Sequence, residues 1–380
     1  MRRLNLIEHS ERDFAAFKAD EPRVKGEDKM KKVLAAVLAG VMAFSLTACG
    51  GGAANDAGSS GKTEGTGEKT YKVALMADGA GFGSQSFNDV ALEGLEKAKT
   101  DFGIELTTLE VKEVADFANS LRSLAQQGCD LIITPSSTIK DAVTEVAAEY
   151  PDTFFGLLDV QVEGVSNVVS SSYREHEAAF LLGALGGYLT KTNQIGFIGG
   201  VSGVIQDRFQ YGYMAGAWYS NPEVKVTSSY TGSFSDVGKG KEIATMMFSD
   251  GCDYVAPSAG ACNLGVFQAS KEAGADKWSF GAANGQFNQM PDKIVASQVK
   301  RVDNVAYSMV EKMVNGTLKG EQSEYGLKDG GVDLMYSTEE AMKTSVPEDI
   351  RDKVEEIKKQ IVDGTIKVPA TQDEYNAYVK

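Results

Sequence analysis

Histidine is scarce, with two in 380 residues, which argues against a His-rich metal site. Four cysteines in a chain of this length cannot build a disulfide framework. Positive charge is in deficit: Lys plus Arg number 38 against 53 Asp plus Glu, a net charge of −15. Such a surface repels phosphate backbones, so no nucleic acid partner is expected. Long apolar runs are also missing. The most extended, Val33 to Leu46, has about 14 residues, whereas a spanning helix needs roughly 20. What remains has globular proportions, 42% apolar and 24% charged, which excludes wholesale disorder or a collagen-like chain. The length suits two ordinary domains or one two-lobed unit.

The apolar run follows Lys29-Met30-Lys31-Lys32 and ends Leu46-Thr47-Ala48-Cys49-Gly50. A basic start, a short apolar segment and small residues before a cysteine are the parts of a bacterial lipoprotein signal, in order. This predicts a signal peptide over 30–48 and a lipid on Cys49. Residues 1–29 carry several acidic side chains and do not suit the front of a signal, so Met30 is expected to be the true start. From 49 to 70 the chain is mostly Gly, Ser, Ala and Thr, a flexible tether unable to bury a core. The expected location is the extracytoplasmic side of a bacterial membrane.

From Tyr71 onward strand-like and helix-like segments alternate. Tyr71–Met76, Ile104–Val111, Asp130–Ile133 and Phe154–Leu158 read as strands, with helical patterns between them. This order predicts an α/β fold with parallel sheets covered on both faces. The pattern then repeats. Ser86-Phe87 is followed 122 residues later by Arg208-Phe209, and Gly94 by Gly216. Gln127-Gly128-Cys129-Asp130 matches Asp250-Gly251-Cys252-Asp253 at an offset of 123. An ordered series at near-constant offset predicts two lobes of one topology. The first lobe is expected over 71–169 plus about 298–328, the second over 170–297 plus about 329–380. Crossings between them are expected near Val168–Ser172, Ala296–Gln298 and Gly326–Val332, with the tail from Pro347 packed on the second lobe. Parallel sheets bind ligands outside the carboxyl ends of their strands, so facing lobes would share a cleft that closes about the hinge.

The loops at those strand ends supply the candidate ligand-binding residues. Phe87 and Phe209 fall at equivalent helix starts and could sandwich a flat ring, or be ordinary core residues. Asp78 and Asp159 each follow an apolar strand; a carboxylate there can accept from hydroxyls or amides, or cap the next helix. Asn88 offers a donor and an acceptor, suited to a heterocycle edge or to solvent. Lys300 ends the strand-like Ile294–Val299 and is either a donor to ligand or a surface lysine. Gly79-x-Gly81-x-Gly83 lacks dinucleotide-fingerprint spacing. Cys129, Cys252 and Cys262 are expected as free thiols, because a Cys252–Cys262 bridge would join opposite strand ends. His176 is expected on a solvated helix start. No serine stands in a nucleophile elbow and no catalytic triad is evident.

Several segments resemble the basic membrane protein family, the purine-nucleoside-receptor type of substrate-binding lipoprotein. They are Ser86-Phe87-Asn88, Phe155-Gly156-Leu157-Leu158-Asp159, Ile195-Gly196-Phe197-Ile198-Gly199-Gly200, Arg208-Phe209-Gln210-Tyr211-Gly212-Tyr213 and Val299-Lys300-Arg301-Val302-Asp303. The resemblance covers roughly Tyr71 to Tyr336. It implies the type I periplasmic-binding-protein fold, two Rossmann-like lobes joined by a hinge. It further implies capture of a nucleoside, without catalysis, metal or cofactor, for the membrane permease and ATPase subunits of an ABC importer. By motif position it implies ligand contacts from Asp78, Phe87, Asn88, Asp159, Phe209 and Lys300. The family commonly has Gly-Val-Asp, a second acid and Gln where this chain has Gly281-Ala282-Ala283-Asn284-Gly285-Gln286. Asn284 is the residue expected to stand in for the missing carboxylate. A monomer is expected. A pentose-binding protein, a nucleoside-cleaving enzyme and a sensory regulator are the alternatives.

Overall fold

A computed structural model describes residues 69–380. The start at Met30, the signal segment, Cys49 and most of the tether lie outside the described residues. Among those described, no helix is long and apolar enough to cross a membrane.

The first half runs β1 (Lys72–Ala77), α1 (Phe87–Phe102), β2 (Glu105–Glu110), α2 (Phe117–Gln126), β3 (Leu131–Thr134), α3 (Lys140–Glu149), β4 (Phe154–Leu158) and β5 (Val168–Tyr173). The second repeats the order: α4 (Glu175–Leu189), β6 (Gln194–Gly199), α5 (Val204–Ser220), β7 (Lys225–Tyr230), α6 (Val237–Ser249), β8 (Tyr254–Ser258), α7 (Asn263–Ala273), β9 (Trp278–Gly281) and β10 (Ile294–Lys300). The chain then adds α8 (Val302–Val314), β11 (Glu321–Tyr325), β12 (Val332–Tyr336), α9 (Glu348–Val362) and α10 (Gln372–Tyr378).

Two six-stranded sheets result, ordered β11-β5-β4-β3-β1-β2 and β12-β10-β9-β8-β6-β7. The first is parallel throughout. The second is parallel except where β12 pairs antiparallel with β10. Five strands of each follow one order, β5-β4-β3-β1-β2 and β10-β9-β8-β6-β7, which is the duplication expected from sequence and the two-lobed type I fold. The near-continuous apolar character of β1, β3, β4 and β6 follows from burial on both faces, whereas the edge strands β2 and β7 are partly exposed and more polar. Val73 and Leu75 of β1 pack with Val90 and Leu95 of α1 and Met309 of α8. The alternating Ala74 and Met76 pack with Leu121 of α2 and Val143 of α3.

The matched glycines mark one physical requirement. A Cβ on Gly94 would lie 2.1 Å from the Asp303 carbonyl oxygen, and one on Gly216 would lie 1.9 Å from that of Phe180. Each glycine lets a helix press against its neighbour, α1 on α8 and α5 on α4. The tail helices belong with the second sheet: Tyr375 of α10 meets Tyr211 at 6.0 Å between ring centroids, and Tyr378 meets Trp218 at 5.9 Å.

The first two crossings fall slightly later than expected. Val168–Tyr173 is wholly a strand of the first sheet and Ile294–Lys300 wholly a strand of the second, because strand pairing holds each run to its end. The chain therefore changes lobe at Arg174, at Arg301 and over 326–331. The solvated helix start expected for His176 is corrected as well. α5 packs against that turn, with Gly212 close to the His176 carbonyl, leaving the imidazole 9% exposed and its Nδ1 without a partner. Burial, with Arg174 and Arg208 nearby, pushes its pKa down to about 3. Cys129, Cys252 and Cys262 are buried and unpaired.

Candidate functional site

The carboxyl ends of both sheets open on one cavity of about 630 Å³, a volume suited to a small molecule. Loops after β1, β3 and β4 form one wall and those after β6, β7, β8 and β9 the other. Asp78, Phe87, Asn88, Asp159, Phe209 and Lys300 all line it.

Local structure fixes each of these residues. The Asp89 carboxylate accepts from the Gly83 amide at 2.7 Å and the Ser86 amide at 3.2 Å. This caps α1 and sets Phe87 and Asn88 at the cavity edge. Asn88 Nδ2 donates to Asp78 Oδ1 at 3.2 Å and to the Gly81 carbonyl at 2.9 Å. Its Oδ1 is buried without a partner. Asp159 follows β4 at φ 99°, a left-handed conformation costly for a non-glycine residue. Its amide donates to the Ser171 carbonyl at 2.9 Å.

Lys300 is the electrostatic centre. It is 6% exposed, and its ammonium pairs with Asp159 and, at 3.0 Å, with Glu175. Burial opposes its charge, but Asp159 and Glu175 outweigh burial and hold its pKa above the usual lysine value. The ammonium also lies 4.9 Å from the Phe87 ring centroid and 5.4 Å from that of Phe209, within cation–π range of one ring from each lobe. Glu175 has a fully buried side chain and meets Arg208 Nη1 at 3.3 Å. Arg208 also donates to the Tyr173 carbonyl at 2.8 Å. Burial pushes the Glu175 carboxyl up, against the two cations.

The lobes are bridged around this cavity. Gln286 Nε2 donates to the Ser84 carbonyl at 2.9 Å, while its Oε1 accepts from Asn263 at 3.1 Å and the Ala282 amide at 3.2 Å. Gln286 adopts φ 55° and Ala283 φ 57°, so the β9 loop is held in a strained form. Asn284 does not line the cavity. Its amide donates to Glu93 on α1, an exposed contact across the lobes, and Ala283 stands at the wall instead.

Sequence reasoning missed Glu175, Gln286 and Gln298. Glu175 carried no signal beyond a charge directly after a buried strand. Gln298 was visible as the amide interrupting the apolar run Ile294–Val299.

Residues 71–372 match a family described as ABC transporter substrate-binding protein, PnrA-like. Basic membrane protein A of Borreliella burgdorferi is 31% identical over 319 residues, covering 83% of this chain and 92% of that protein. The ABC transporter nucleoside-binding protein BmpA of Lactococcus lactis subsp. cremoris is 32% identical over 361 residues, covering 90% and 100%. Among solved structures, an ABC transporter solute-binding protein from Aeropyrum pernix K1 superposes with a TM-score of 0.73 at 27% identity, covering 81% of this chain and 96% of that one.

Proposed function

The chain belongs to the Bmp family of PnrA-like ABC transporter substrate-binding proteins, and from that membership we propose that it captures a nucleoside between its lobes for import. One observation carries the reading. Phe87 and Phe209, at equivalent positions of the two lobes, both border the cleft within cation–π range of one buried ammonium. Two aromatic faces suit a flat base, and base stacking contributes about 1–3 kcal/mol per ring. Asp159 and Lys300 are suited to sugar hydroxyls through charge-assisted bonds. Asp78 and Asn88 would hold the ligand from the first lobe, where the free Asn88 oxygen awaits a donor. The bound molecule is a purine nucleoside in this reading, no bond is made or broken, and the protein works as a monomer. The Lactococcus relative's description as nucleoside-binding supports the same ligand class.

The protein is read as facing the extracytoplasmic side, tethered by a lipid on Cys49 and delivering ligand to separate permease and ATPase chains. A thermal-shift panel of nucleosides, free bases and pentoses tests the ligand class. A ligand at 100 times its Kd stabilises the folded state by about 2.7 kcal/mol. Stabilisation by nucleosides but not by ribose is expected. Stabilisation by pentoses alone would replace the nucleoside reading with a sugar-binding one. Mass spectrometry of the mature N-terminus tests the lipid: an unmodified Cys49 would remove the anchor.

A further inference from the structure

Gln298 stands two residues before Lys300 in β10. Side chains at i and i+2 share a strand face about 7 Å apart, so Gln298 can address a different part of any ligand that Lys300 holds. It lines the same cavity and is 3% exposed. Neither its Oε1 nor its Nε2 has a hydrogen-bond partner within the protein.

Each other amide of the wall has at least one end engaged. Asn88 gives its nitrogen to Asp78 and Gly81. Gln161 donates to Ser172 at 3.0 Å. The Gln206 oxygen accepts from the Gly200 amide at 3.2 Å. Asn263 accepts from the Ala259 amide and donates to Gln286. A buried amide with both ends empty is costly unless a partner fills it.

We propose that Gln298 is a specificity-determining residue, whose carboxamide reads a ring edge carrying a hydrogen-bond donor beside an acceptor. The proposal rests on the nucleoside reading above. A carboxamide presents one acceptor and one N–H donor side by side, and its complement is an N–H next to a carbonyl, or an amino group next to a ring nitrogen. Hypoxanthine offers the first through N1–H and O6, and adenine the second through its 6-amino group and N1. A purine bare at position 6 has neither a carbonyl nor an N–H on that edge, so Oε1 stays unpaired. Buried polar groups left unpaired are what let a site reject a close analogue.

The test is calorimetric titration of the purified protein with inosine and with unsubstituted purine riboside, which share sugar and ring system and differ at that edge. Wild type is compared with Gln298→Met, which keeps the side-chain volume close to that of glutamine. Wild type is expected to favour inosine by about tenfold or more, the worth of a charge-free hydrogen-bonded pair. The Met variant is expected to bring the ratio near one by weakening inosine. Equal binding of the two by wild type, or a ratio that Gln298→Met leaves unchanged, overturns the role of Gln298 with the nucleoside reading intact. Binding of neither compound overturns the nucleoside reading itself. Gln298→Glu is the second variant, in case the first fails to fold: an ionised carboxylate cannot donate to O6, so inosine should weaken. Undiminished inosine affinity there overturns the proposal.

Discussion

Lys300→Met should destabilise the ligand-free protein severely. The substitution removes the cation from between two carboxylates whose side chains are 13% exposed at Asp159 and 0% at Glu175. Glu175 keeps Arg208 at 3.3 Å, while Asp159 has no other cation among its described ion pairs. Removing one member of a buried charge cluster costs about 3–5 kcal/mol, mostly the penalty of the stranded charge. In a folded body of this size that lowers Tm by roughly 5–8 °C. The deficit should depend on pH. Without Lys300, burial raises the Glu175 carboxyl further, so the folded state holds a proton that the unfolded chain releases near pH 4.3. Stability from such a raised carboxyl is present at low pH and lost as pH rises through its folded value. The gap between variant and wild type is therefore widest near pH 7 and narrows as pH falls toward about 4.5. Urea melts of both proteins at pH 7 and pH 5 measure it, with Lys300→Met/Glu175→Gln recovering part of the loss. A variant within about 0.5 kcal/mol of wild type at pH 7, or a gap that does not narrow at pH 5, would refute the buried-cluster reasoning.

Gln286→Ala loses the bond to Ser84 and leaves the buried Asn263 amide and the Ala282 N–H without their shared acceptor; a loss of about 1–3 kcal/mol is expected in urea melts, and an unchanged midpoint would deny the bridge a role in stability. Gly94→Ala and Gly216→Ala should each destabilise by about 1–3 kcal/mol or more, because the new Cβ meets backbone oxygen at 2.1 Å and 1.9 Å; wild-type melting of either would contradict the close packing. His176 is held neutral, with a pKa near 3. Between its unfolded value near 6.5 and that folded value the unfolded chain binds the extra proton, so stability falls as pH drops. At pH 5 the cost is about 2 kcal/mol, and His176→Leu should remove that slope; parallel pH dependence in both proteins would deny the histidine its part.

Much of the fold was legible because it is written twice. The offset linking Gly94 to Gly216 marks equivalent helix contacts, and packing enforces them. Phe87 and Phe209 share the offset and the cavity wall, but Phe87 opens α1 whereas Phe209 lies five residues into α5, which begins at Val204, so the expected second helix start is corrected. Asp78, Asp159 and Lys300 were legible as polar residues closing apolar strands. What escaped depended on contacts between distant segments. The burial of His176 comes from α5 packing over its turn, which no local pattern encodes. Asn284 is taken from the cavity by Glu93, 191 positions away. Glu175 becomes a ligand of Lys300 only because β10 ends beside the start of α4. The first two crossings were displaced by a few residues because strand pairing, not composition, decides where a strand ends.

The most direct measurement of the central claim is calorimetric titration of the purified protein with a purine nucleoside and with ribose, repeated on Phe87→Ala/Phe209→Ala. The expected result is saturable binding of the nucleoside, none of ribose at the same concentrations, and at least about 30-fold weaker nucleoside binding in the double variant, from roughly 1–3 kcal/mol lost per ring. Ribose binding as tight as that of the nucleoside, or an unchanged affinity in the double variant, would contradict a site that holds its ligand by stacking the base between the lobes.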